Sequence, residues 1–170
     1  MDYLKFFLRL IHIAAAVFWV GSSMTMLLFI APTVASAAEA GQKFLGQLIT
    51  HTRLTVAITI SAILTVLAGI SLFWIDSDGF TSPWQNSAAG IGFGLGGLFG
   101  IFALVAGVMI GRNISVLGGI AARSQGKPTP EQVSQIQGIQ KQMRLLGPLH
   151  MLTQIVAVTC MATARYWVFR

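Results

Sequence analysis

Four long apolar runs separated by polar stretches set the pattern of the chain: roughly Phe6 to Ala31, Leu54 to Ile75, Ala88 to Gly111 and Pro148 to Val168. Crossing about 30 Å of hydrocarbon takes roughly 20 helical residues at 1.5 Å each, and each run is long enough. No alternation of apolar and polar positions marks barrel strands. A spanning backbone must satisfy its own polar groups, so the runs predict helices. The expected fold is all-α: a four-transmembrane-helix bundle with helical extensions on the inner side, forming a single membrane domain over residues 1–170.

The connections carry further periodicity. Phe44, Leu45, Leu48 and Ile49 recur at helical spacing, so the first connection is expected to turn helical from about Ala38. The third connection reads as a helical hairpin over 112–147. Helix three is expected to continue past Arg112 to about Arg123, with Gly126 as its stop. Thr129-Pro130-Glu131-Gln132 restarts a helix as a capping box, with Thr129 as N-cap and Pro130 at the first position. Val133, Ile136, Ile139 or Gln140, Met143, and Leu146 or Gly147 then carry one apolar stripe into the fourth span, with Pro148 as a candidate kink.

Composition agrees with lipid as the solvent. The chain is 55% hydrophobic and 9% charged, against about 25% charged in ordinary soluble domains. Its net charge of +6 would suggest nucleic acid in a soluble protein. Here the basic residues flank apolar runs, where snorkelling and topology account for them, so no nucleic-acid partner is expected. Lys5 and Arg9 precede the first run and Ala35-Ser36-Ala37 follows it, as in a signal peptide, but the run exceeds the 7–15 residues of such a segment and is read as retained.

Lys43, Arg53, Arg112, Arg123, Lys127, Lys141 and Arg144 lie on the first and third loops. Against them stand Lys5, Arg9, Arg165 and Arg170 on the termini. This balance predicts those two loops inside and both termini outside, in a bacterial plasma (inner) membrane. The second loop fits the outer side, with Asp76, Asp78 and the flanking Trp74 and Trp84. Cys160 stands alone, which excludes an intrachain disulfide.

Three histidines are the main candidates for chemistry. His51 is expected to open the second span and His150 the fourth. They lie 23 residues before Trp74 and 17 before Trp167, depths that differ by about 9 Å. Two imidazoles at similar depth suit a haem b iron or a bound metal; alternatively, both are hydrated interfacial residues. His12 lies inside the first run, seven residues before Trp19 and on its face, with Ser23 close to that face. It is a candidate metal or haem ligand, proton relay or quinone hydrogen-bonding group. The plainer alternative satisfies it with Thr55, Thr59, Ser61 or Thr65 of a neighbouring helix.

The segment Leu10-Ile11-His12-Ile13-Ala14-Ala15-Ala16-Val17-Phe18-Trp19-Val20-Gly21 resembles the opening helix of the copper-resistance-D-like (CopD-like) family and of related four-helix membrane proteins. Met143-Arg144-Leu145-Leu146-Gly147 and Ala162-Thr163-Ala164-Arg165-Tyr166 are similar to those relatives too. HemJ-type protoporphyrinogen oxidases begin similarly, although the Lys they carry in a later membrane helix has no counterpart within these spans. The resemblance implies a small helical bundle linked to haem, copper or redox chemistry, carried over to His12, Trp19 and Gly21.

Copper has soft donors in Met24, Met26, Met109, Met143, Met151 and Met161, but no span gathers three on one face. Gly92-Phe93-Gly94-Leu95-Gly96-Gly97 matches a dinucleotide fingerprint without the strand that motif requires. Gly92, Gly96 and Gly100, followed by Ala103, Gly107 and Gly111, instead make a smooth helix face. That face suits a neighbouring helix, a second copy or the flat ring of a cofactor. With no acid inside a span, an ion-coupled transporter is disfavoured. A Ser-His-Asp hydrolase is equally disfavoured, because Asp76 and Asp78 lie on the side opposite His51 and His150.

These readings converge on a redox-linked membrane protein or subunit that binds haem b through His12, His51 or His150, with Trp19, Gly96 and Gly100 lining the site. Electrons would pass to a quinone or a partner protein, with copper as the alternative metal. The competing expectation is a non-catalytic accessory subunit of a larger membrane complex, or a homodimer, docked through the glycine face and inner hairpin.

Overall fold

The computed structural model describes residues 2–123 and 129–168, and these form helices joined by turns. The helices are α1 (Tyr3–Thr25), α2 (Ala31–Ser36), α3 (Ala38–His51), α4 (Leu54–Asp76), α5 (Ala88–Arg123) and α6 (Pro130–Thr163). Four apolar stretches are long enough to cross a membrane: Tyr3–Ser36, Leu54–Asp76, Ala88–Ile120 and Pro130–Tyr166. The all-α fold with four spans is therefore as expected.

The first span is longer than its apolar pattern indicates. A π-helical turn over Met26–Ile30 joins α1 to α2, with the Ala31 N–H donating to the Met26 carbonyl. Pro32 explains the widening: it has no N–H, and its ring crowds the carbonyl four residues back. Ala38, at φ 46°, then reverses the chain and α3 folds back on α2. A Cβ at Gly41 would collide with the Val34 carbonyl, so the sharp return requires glycine there.

Thr52 and the left-handed Arg53, at φ 51°, make the corner between α3 and α4. At the far end of α4, Asp76 meets Lys5 at 3.0 Å and Arg9 at 3.7 Å, which clamps α1 and α4 antiparallel. Ser77, fully buried, donates from Oγ to the Trp74 carbonyl and accepts from the Phe80 N–H. Around it, Phe73, Trp74, Phe80, Trp84 and Phe93 pack into an aromatic cap.

The two arms of the third connection follow the expected outline. α5 reaches Arg123, and α6 starts on the Thr129–Gln132 capping box, with the Thr129 hydroxyl accepting the Gln132 N–H and the Gln132 amide oxygen accepting the Thr129 N–H. α6 runs through Pro148 without a break in its helical assignment. Gly126 and Lys127 lie outside the described residues.

Packing is inverted relative to a soluble bundle. The buried positions are mostly small, including Ala62, Ala68, Ala103 and Ala106, while Leu10, Val17, Phe18, Leu67 and Phe102 are exposed. Between helices in lipid there is little hydrophobic drive, so small residues serve close van der Waals approach. Gly92 receives Ala164, and Gly96 receives Met161 and the Ala157 carbonyl, which joins α5 to α6. Trp19 is the largest exception among the described residues, buried against Ala62 and Ala103.

Candidate functional site

Two histidines are held inside the bundle by the same local device. His12 of α1 donates its Nδ1–H to the Thr65 carbonyl of α4 at 2.7 Å. His150 of α6 donates its Nδ1–H to the Ala103 carbonyl of α5 at 2.8 Å. In each case a glycine stands four residues beyond the accepting carbonyl and lies under the imidazole. A Cβ on Gly69 would sit 2.8 Å from His12 Cε1, and one on Gly107 would sit 3.2 Å from His150 Cε1. The missing side chain one turn away gives each ring access to a carbonyl that is otherwise screened. Because a carbonyl can only accept, it places the proton on Nδ1 and leaves the lone pair on Nε2.

The two Nε2 atoms differ in surroundings. His150 is buried at 7% exposure. Its Nε2 faces α1, where the Ser23 hydroxyl donates to it at 3.4 Å and the Trp19 ring packs 6.1 Å away. Leu27 closes the same junction over Gly147. His12 is half-buried, and its Nε2 has no partner among the described residues, yet it is not sealed off. The hydroxyl of Thr65 is directed to the Ser61 carbonyl, so it is the Thr65 backbone and not its side chain that holds His12.

The structure corrects the expected place of His51. His51 ends α3 at an exposed corner and does not open α4. Both nitrogens of His150 have partners, the Ala103 carbonyl and the Ser23 hydroxyl. His12 and His150 do not converge. Ser23, the partner of His150, is eleven residues along α1 from His12, about 16 Å. Among the described residues no group of three His, Cys, Asp or Glu could hold a metal ion.

Trp19 is a core residue against His150. Gly96 is filled by α6, so at that position the glycine face serves contact within the bundle; Gly100 has open space beside it. One polar residue escaped the reading of the sequence. Gln154, one turn from His150 on the same face, is 1% exposed, and its Nε2 and Oε1 are buried with no hydrogen-bond partner among the described residues. Its signal was available, since it is the one Asn or Gln within the four apolar runs.

A haem iron needs a neutral imidazole with Nε2 free and its other nitrogen held by a second group. His12 meets both conditions. His150 meets the second but not the first, and His51 has no backbone anchor among the described residues. The chain matches no protein-family model, and comparisons with curated proteins and with solved structures give no match. The four apolar spans make it a multi-pass integral membrane protein.

Proposed function

We propose that this is a redox-linked membrane protein that binds b-type haem through His12 and exchanges electrons with a quinone or a partner protein. The supporting observation is the Nδ1–H of His12 locked on the Thr65 carbonyl with Nε2 left open. That second contact fixes ring orientation and raises the basicity of the ligating nitrogen. Haem, when bound, supplies the one-electron couple; the protein contributes the oriented ligand and a dry, apolar flank. The CopD-like resemblance of the His12 helix agrees with this reading. Copper is less well served, because no His, Cys, Asp and Glu group gathers among the described residues.

The membrane orientation follows the same reading. The larger number of Lys and Arg on the first and third connections than on the termini favours the terminal side as the outer one in a bacterial inner membrane.

An absorption spectrum of the detergent-purified protein tests the proposal. A Soret band that His12→Ala abolishes and His51→Ala retains is the expected result. A colourless protein that cannot be loaded with haem would overturn it. The function would then pass to a non-catalytic accessory subunit, for which the mixed groove of Asn113, Val116, Gln135, Ile139 and Gln142 between the hairpin helices offers a docking surface.

A further inference from the structure

We infer that Arg9 binds the carboxylates of the haem that His12 ligates, making one face of α1 a bipartite site for an acidic, flat amphiphile. The inference rests on the haem reading above and adds the group that selects for the acid form. Lys5, Arg9 and His12 are spaced by four and three residues, so they share one face of α1. All three meet α4: Lys5 and Arg9 at Asp76, and His12 at the Thr65 carbonyl.

Charge on this face does not balance. One carboxylate serves two cations, and Lys5 takes it at 3.0 Å. Arg9 stands 3.7 Å from the other oxygen, beyond hydrogen-bond length, with its side chain 49% exposed. Its guanidinium therefore retains donors for a planar oxyanion, the geometry that arginine recognises bidentately. Asp2 is occupied as the N-cap of α1.

Depth agrees with an amphiphile. Arg9 is three residues from His12 toward the end of the span, about 4.5 Å, and a long basic side chain there reaches further toward the interface. The open nitrogen lies in the apolar part of the helix and the surplus cation at its polar end. A ligand with an apolar disc and acidic groups on one edge fits that order. The same cation could instead hold a phospholipid phosphate, and the experiment separates the two.

The full-length protein, stripped of haem in detergent, is titrated with haemin and with haemin dimethyl ester, in which both carboxylates are neutral. Binding is read from the Soret shift. The wild type is expected to prefer haemin by about tenfold, the scale of one charge-assisted hydrogen bond. Arg9→Gln should abolish that preference by weakening haemin alone, and its unchanged ester affinity reports an intact His12 site. Lys5→Met should also reduce the preference, because Arg9 would then be drawn to Asp76. Equal binding of acid and ester by the wild type, or a preference that survives Arg9→Gln, overturns the inference and leaves Arg9 to lipid phosphate and Asp76. Failure of both porphyrins to give a His12-dependent band removes the haem reading as well.

Discussion

His12 and His150 share a carbonyl anchor, an underlying glycine and a tautomer, but differ at the one atom that chemistry would use. At His150 the α1 helix arrives with Ser23 and Trp19 and completes the hydrogen bonding of the ring. At His12 no third helix supplies a partner to Nε2 among the described residues. The same side chain is a fastener between helices in one place and, in the function proposed above, a ligand in the other. An intramembrane histidine is a functional candidate by default; here the neighbour of its second nitrogen decides between the two roles.

The comparison can be broken by removing either ring. His150→Ala leaves a cavity and frees the Ala103 carbonyl and Ser23 hydroxyl, and should destabilise the bundle by about 3 kcal/mol. Unfolding by SDS titration measures this, and His12→Ala should fall well below it while abolishing the Soret band. Next in size is the glycine under each ring. Gly69→Ala pushes His12 off its carbonyl, and should weaken haem binding by roughly 10–100-fold, as loss of an outer contact to a metal ligand does. Gly107→Ala, with a looser contact, should leave the haem titration unmoved.

Gln154→Leu tests the polar residue one turn from the sealed ring. Replacing two buried, unpartnered polar atoms by an apolar side chain should raise stability by about 1 kcal/mol in the same titration. A loss of stability would mean that the amide is satisfied in the membrane. The smallest effect belongs to Ser23→Ala, about 0.6 kcal/mol for one interhelical hydrogen bond in lipid. It also sharpens the contrast, because His150 then has an unpartnered Nε2 but remains buried beside Trp19. If His150 still fails to bind haem, the packing as well as the hydroxyl keeps it closed.

Much of the architecture was legible because its causes are local. The four spans follow from run length, and the restart at Thr129 follows from a capping box that residues 129–132 complete among themselves. The helical first connection followed from the spacing of Phe44, Leu45, Leu48 and Ile49, and the continuation of α5 to Arg123 was expected as well. His51 was misplaced because the left-handed corner at Arg53 gives no apolar signal. The first span runs past Ala31 because a π-helical turn at Met26–Ile30 carries the helix through Pro32, which the apolar run length does not reveal.

The sequence by itself determined that this chain lives in lipid, where its helices lie, and that polarity inside the bundle is confined to a few side chains. It did so because hydrocarbon leaves the backbone no choice but helix and makes each buried polar residue conspicuous. The tertiary structure alone decided which histidine is closed and which is open. That depends on helix register: Thr65 and Gly69 fall opposite His12, Ala103 and Gly107 opposite His150, and α1 brings Ser23 to the second ring. Contacts between helices far apart in the chain set that register, and no local pattern encodes them.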